Sequence, residues 1–144
     1  MDKRRIVVTG MGTVNAVGLN LKDYLEGISN GRSGISRITN VDLKDSPSLV
    51  GGEIKDEEFN PADFIDKKLV RKMDKFTSHG AVAAKEAIEM SGLDALSEDE
   101  KERVGVLVGS GIGGIYSFET NILKLNNVGH KRVSPLFIPQ LITD

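Results

Sequence analysis

The chain has 144 residues, 39% of them hydrophobic and 28% charged, an ordinary composition for one globular domain around a single core. It contains no cysteine, which excludes a disulfide framework, thiolate metal sites and a cysteine nucleophile within these residues. A formal net charge of −2 gives no global attraction for nucleic acid, so an anionic partner needs a local basic patch. The start MDKRRIVVTG passes from charge straight into a strand-like segment without a signal-type apolar region, and no apolar run approaches the roughly 20 residues that span a bilayer. The expectation is a cytoplasmic protein with no membrane partner.

In chain order, the apolar residues 5–9 closed by Gly10-Met11-Gly12 predict a first central strand. Leu21, Tyr24, Leu25 and Ile28 then repeat at helical spacing, with Asn20 as cap and Gly31 as stop. Residues 33–60 are broken by glycines and Pro47, which predicts surface elaboration with a short strand near 49–54. Asn60-Pro61 offers a cap and a first-turn proline, and Leu69, Met73, Phe76, Gly80, Ala84, Ala87 and Ile88 predict one long helix ending at Gly92. Its small residues, Gly80 with Ala81, Ala83, Ala84 and Ala87, make it narrow enough to approach another backbone and to be buried on more than one face.

A charged link over 97–103 leads to the apolar run 104–108, which has the character of a parallel strand covered on both faces. A turn at 109–114 and a helix over 115–125 follow, and the prolines at 135 and 139 predict a loop that opens a further helix. Strands alternating with helices indicate an α/β fold with a largely parallel sheet. Two central strands alone would leave sheet faces and an edge uncovered, so part of a larger fold is expected.

The turn Gly109-Ser110-Gly111-Ile112-Gly113-Gly114 satisfies G-x-G-x-x-G between a strand and a helix, the context in which a pyrophosphate sits on a helix N-terminus. No second strand ending in an acidic residue follows within about 20 residues, as ribose recognition requires, and Glu119 comes too early. An NAD(P)-binding oxidoreductase domain and glycines that merely permit a tight turn against a neighbour both remain open. At the first turn, Asn15 replaces the third glycine, so that turn is read as structural.

Lys67, Lys68, Arg71, Lys72 and Lys75 recur at spacings that predict a positive stripe on the long helix, near its start, where the macrodipole opposes positive charge. A solvated face and a docking surface for an acidic partner both account for it. Lys131 and Arg132 form a smaller patch, and neither patch is interleaved with aromatics as a stacking groove for nucleic acid would be. His79 and His130 lack partners at metal-ligand spacing, no G-x-S-x-G elbow occurs, and the acidic run Asp56-Glu57-Glu58 has the look of a solvated loop. No metal, cofactor or catalytic residue is expected in the chain.

RRIVVTGMGTVNAVG, NGRSGIS, RKMDKF, VGVLVGSGIGG and VSPLFIP occur in order along essentially the whole chain. Together they resemble the beta-ketoacyl-[acyl-carrier-protein] synthases of dissociated, type II fatty-acid synthesis, with one departure at Asn15-Ala16, where that family commonly has a hydroxyl residue and proline. The resemblance implies a thiolase-like fold of two similar α/β halves, of which residues 1–144 are most of the first, an incomplete N-terminal portion of one synthase domain. It implies a homodimeric parent enzyme that elongates acyl chains with malonyl-acyl-carrier protein by decarboxylative condensation. The family's catalytic cysteine and two histidines would fall after Asp144, and neither His79 nor His130 matches them, so the fragment alone is expected to be inactive.

Ile112 matches the position that gates the acyl pocket, Gly111 keeps the wall thin, and Phe137 matches a pocket position reached from across the dimer. Lys68, Arg71, Lys72, Lys131 and Arg132 match the positions that dock the acidic acyl-carrier protein. A non-catalytic partner subunit resembling a chain-length factor is the alternative within the same fold.

Overall fold

The computed structural model describes residues 5–142, which divide into two compact units. One holds Phe59 and the described residues before it, together with Val82–Val104; the other holds Asn60–Ala81 and the described residues from Gly105 onward.

The first unit starts from a turn pressed against a helix. A Cβ on Gly10 would run into the carbonyl of Ala87, and one on Gly12 into the carbonyl of Ala83, one helical turn earlier. Both carbonyls belong to α3 (Lys75–Ser91). The run of small residues thus does allow the backbone approach that the sequence predicts, on the alanine side. A Cβ on Gly80 would meet no neighbouring segment, and Gly80 is exposed, as is Ala84, so burial on more than one face does not extend to these positions. Glu86 fixes the same turn electrostatically: its carboxylate accepts the N–H of Thr13 at 3.0 Å and of Leu21 at 2.8 Å.

Asn15 folds the intervening loop onto itself. Its Oδ1 accepts the N–H of Val17 at 2.8 Å, its own N–H donates to the Gly18 carbonyl at 3.0 Å, and its Nδ2 donates to Thr13 Oγ1 at 2.8 Å. This is a side-chain-built turn, and it gives Asn15 a local reason to stand there. Asn20 then caps α1 (Leu21–Ser29) by accepting the Asp23 N–H, and Gly31, with φ of 67°, follows the helix.

β1 (Ile35–Arg37) and β2 (Val50–Gly52) pair antiparallel with Ile35 opposite Gly52. Glu53 ties the connecting segment by accepting N–H groups from Thr39 at 2.6 Å and Asn40 at 3.1 Å. The predicted short strand near 49–54 is therefore present, although β2 itself is only three residues long.

Two expectations need correction. The runs 5–9 and 104–108 carry no strand pairing among the described residues, whose one sheet is β1–β2. Ile6 is 95% exposed and Leu107 99%. Strand character in an apolar run is realised only against a hydrogen-bonding neighbour, and a parallel neighbour comes from a distant part of a chain.

The second correction is to the long helix, which breaks into a 3₁₀ turn (Pro61–Asp63), the single-turn α2 (Lys67–Val70) and α3. Asn60 and Asp66 each cap a start through their side chains, so the backbone is turned away from one continuous helix. α3 ends before Gly92, which has φ of 71°. The charged link contains a further short helix, α4 (Glu98–Lys101), begun by a capping box of Ser97 and Glu100. The hydrogen bonds from the Ser97 hydroxyl and backbone hold the Glu100 carboxyl below its ordinary range.

In the second unit, α5 (Ile115–Val128) is followed by a 3₁₀ turn (His130–Arg132) and α6 (Phe137–Leu141). No helix among the described residues is long and apolar enough to cross a membrane.

Because two backbone donors converge on Glu86, replacing it with alanine is expected to lower stability by about 1–3 kcal/mol. Denaturant unfolding measures this; a change below about 0.5 kcal/mol would mean that the first turn is held by packing alone.

Candidate functional site

The eight positions singled out in the sequence, Lys68, Arg71, Lys72, Gly111, Ile112, Lys131, Arg132 and Phe137, all lie in the second unit. The chain carries them on three separate segments, so their common unit depends on what ties those segments together.

The basic segment is not a stripe on one helix. Lys67 and Lys68 belong to α2, Arg71 caps its C-terminal end, and Lys72 lies in the turn before α3. Arg71 and Lys72 sit at the C-terminal end of this short helix, where positive charge is favoured, so for these two the macrodipole cost does not arise. What remains is exposure: Lys67, Lys68, Arg71 and Lys72 all face solvent, and no ion pair engages Lys68, Arg71 or Lys72 among the described residues. Lys75, at the start of α3, is held differently, with its Nζ 4.9 Å from the centre of the Tyr116 ring.

Asp74, between Lys72 and α3, is 4% exposed. One carboxylate oxygen accepts the N–H of Ser117 at 2.7 Å, and the other faces the N–H of Phe76 at 3.4 Å. Ser117 lies in the first turn of α5, where backbone N–H groups lack helical partners and a negative charge is favoured. A buried carboxylate would otherwise cost several kcal/mol, so these two amides explain how Asp74 is tolerated inside.

The polar connection continues from there. Asn121, also 4% exposed, donates from Nδ2 to the Ser117 carbonyl at 2.8 Å and accepts the Ser134 N–H at 2.8 Å. The Ser134 hydroxyl in turn accepts the Leu136 N–H at 3.1 Å. A chain of hydrogen bonds thus runs from the basic turn, through α5, to the segment between Lys131-Arg132 and Phe137. Lys131 and Arg132 are exposed in the 3₁₀ turn that follows α5, where the helix C-terminus also favours positive charge.

The glycine-rich turn enters this arrangement at its end. Gly113 has φ of 83° and donates its N–H to the Ser110 hydroxyl at 3.0 Å. Gly114 is buried, donates its N–H to the Leu141 carbonyl at 2.9 Å, and would carry a Cβ into the Gln140 carbonyl. These two glycines serve close backbone packing. Gly109 and Gly111 have open space where a Cβ would stand, and Ile112 is 78% exposed. At the start of α5 the Gly114 and Ser117 amides are taken by Leu141 and Asp74, so these two are not free for the pyrophosphate of the oxidoreductase reading.

Phe137 begins α6 and lies against Phe118 of α5, with ring centroids 6.2 Å apart. A half-open cleft of about 270 Å³ borders the polar chain, lined by residues including Asp74, Lys75, Tyr116, Thr120, Lys124 and Gln140. Gly111, Ile112 and Phe137 do not line it. His79 lies within α3, and His130 is exposed in the 3₁₀ turn after α5.

Sequence reasoning missed Asp74, Ser117, Asn121 and Ser134 as a connected group. Asp74 had a readable signal, an aspartate immediately before an apolar-periodic run, which marks a helix start. The other three had none at short range.

The chain matches the family model described as Beta-ketoacyl synthase, N-terminal domain, over residues 3–143. It is 43% identical over 143 residues to the 3-oxoacyl-[acyl-carrier-protein] synthase 2 of Staphylococcus aureus (strain COL), covering 99% of this chain and 34% of that protein. The protein of the same name from Synechocystis sp. is 38% identical over 144 residues, covering 100% of this chain and again 34% of the relative. The chain therefore spans about a third of the length of these curated relatives.

Among solved structures, the ishigamide ketosynthase/chain length factor superposes with a TM-score of 0.78 at 24% identity, over 98% of this chain and 34% of that one. A type II PKS ketosynthase in complex with its acyl-carrier protein gives 0.68 at 23% identity, over 97% of this chain and 35% of that one. At these identities the likeness establishes a shared ketosynthase fold, which is the α/β, thiolase-like fold that the sequence motifs imply. The family model matches almost the whole chain, its segments carry the motifs in order, and its fold is that of ketosynthases: the chain belongs to the beta-ketoacyl synthase family, as an N-terminal domain of it.

Proposed function

We propose that this chain is the N-terminal portion of a condensing enzyme of type II fatty-acid synthesis, a 3-oxoacyl-[acyl-carrier-protein] synthase of the second kind. The observation that carries this is the 43% identity to synthases of that name across essentially the whole chain. In the reaction, malonyl-acyl-carrier protein loses CO2, and the resulting carbanion attacks the thioester carbonyl of an enzyme-bound acyl group. A carbon–carbon bond forms, the cysteine thiolate leaves, and a 3-oxoacyl chain two carbons longer remains on the carrier. The cysteine and two histidines for these steps belong to the remainder of the parent, so residues 1–144 are an incomplete part of the synthase domain and carry no condensation alone. The parent acts as a cytoplasmic homodimer.

This portion supplies two non-catalytic functions. Lys68, Arg71, Lys72, Lys131 and Arg132 dock the acidic carrier protein: all five are exposed and none is engaged in an ion pair among the described residues. The relative with the carrier protein bound to its ketosynthase supports such a partner. Positive charge at this surface would speed encounter and weaken with salt. Gly111 and Ile112, exposed on the glycine-rich turn, together with Phe137, form part of the acyl pocket when the rest of the parent covers them. A chain-length-factor-like subunit is the second reading, favoured only by the ketosynthase/chain length factor pair sharing this fold.

Charge reversal tests the docking reading in the full-length synthase, followed by CO2 release from malonyl-carrier protein. Arg71→Glu with Lys72→Glu should raise KM for the carrier-borne substrate roughly tenfold or more while kcat is largely kept. An unchanged KM removes these residues from docking, and a parent that never condenses supports the non-catalytic subunit instead. For the pocket, Ile112→Phe should shorten the longest acyl chain accepted; an unaltered product profile takes Ile112 out of the site.

A further inference from the structure

The acyl-pocket and docking positions occupy different segments, yet one buried carboxylate, next to the basic turn in sequence, is bonded to the helix that follows the glycine-rich turn. Asp74 lies two residues after Lys72 and its oxygen accepts the Ser117 N–H at 2.7 Å, five residues beyond Ile112. The Lys75 ammonium over the Tyr116 ring makes a second tie between the same two segments. On the far side of Ser117, Asn121 extends the connection to Ser134, three residues before Phe137. Between Ser117 and Ile112 the backbone has little room to yield, because Gly113 and Gly114 are pressed against the backbone of Gln140 and Leu141.

We propose that Asp74 is a positioning residue for acyl-chain selection: its carboxylate fixes the start of α5, and with it the turn bearing Ile112, to the basic turn that receives the carrier protein. A carrier seated on Arg71 and Lys72 then delivers its acyl chain to a gate at a set place. This inference rests on the pocket and docking reading of the preceding subsection. Asp74 does not touch the reacting atoms; it acts through Ser117 and the turn.

The test separates positioning from the helix-starting role of the same residue. Serine caps helices well but is too short to span to Ser117, so Asp74→Ser keeps the start of α3 and removes the bridge. Asparagine retains an acceptor of the original reach. In the full-length synthase, kcat/KM is measured for a long and a short acyl-carrier protein, and their ratio is compared across variants. The ratio is unaffected by the fraction of enzyme that folds. Loss of a hydrogen bond to a buried carboxylate predicts that Asp74→Ser changes this ratio roughly tenfold, while Asp74→Asn restores it to within about twofold of the unmodified enzyme.

Ile112→Phe serves as the control in the same assay. If that substitution shifts the ratio and Asp74→Ser does not, the positioning role is overturned while the pocket reading stands. If neither shifts it, the pocket reading itself fails and the inference falls with it. Equal shifts in Asp74→Ser and Asp74→Asn would also overturn it, because the bridging acceptor would then not be the cause.

Discussion

A carboxylate inside a protein has to be answered by donors, and in the second unit that requirement organises everything around it. Asp74 is buried, and the amides of Ser117 and Phe76 are the groups that answer it. Because the Ser117 amide belongs to the first turn of α5, satisfying Asp74 also fixes where α5 begins. The start of α5 in turn determines where the glycine-rich turn ends and which backbone Gly113 and Gly114 meet. Asn121, one turn further along, hands the same constraint to Ser134. Three segments distant in sequence are thereby held by polar contacts whose loss would leave buried groups unpaired, a larger penalty than the loss of an exposed pair.

The first unit solves a comparable problem differently. Its leading turn is placed by close backbone approach to Ala83 and Ala87 and by the Glu86 carboxylate, with small residues supplying the space and one charge supplying direction. Against these well-determined places stand the exposed apolar runs that contain Ile6 and Leu107. Such runs suit strands buried on both faces, and their exposure fits a chain that spans about a third of the length of its relatives. A ketosynthase fold needs further strands to pair with them and further layers to cover them. Ile112 stands in solvent in the same way.

Local chemistry was legible where it was self-contained. Asn20 as a cap, Asn60-Pro61 as a start and Gly92 as a stop could each be read from neighbouring residues, because the interactions span two or three positions. The break between α2 and α3 was hidden by apolar periodicity, since Leu69, Met73 and Phe76 keep helical spacing across a point where Asp66 and Asp74 each claim a helix start. The central strands were legible as apolar runs but not as strands, because pairing depends on partners elsewhere. The motifs RKMDKF and GSGIGG pointed to the right family, yet the bond from Asp74 of the first to Ser117, in the helix that follows the second, spans 43 residues and leaves no mark in spacing. Charge was misread for a related reason: a stripe inferred on one helix became exposed side chains on a short helix, its cap and a turn.

The Asp74–Ser117 contact is most directly examined by residue-resolved amide hydrogen exchange at Ser117 and Ser134. If the buried polar chain holds the unit together, both amides exchange only through cooperative opening and are protected to a similar degree, well beyond the frayed first turn of an ordinary helix. Exchange of the Ser117 amide at the rate of an open helix end would contradict it, and would leave the segments that bear Lys72 and Ile112 without the tie that joins them.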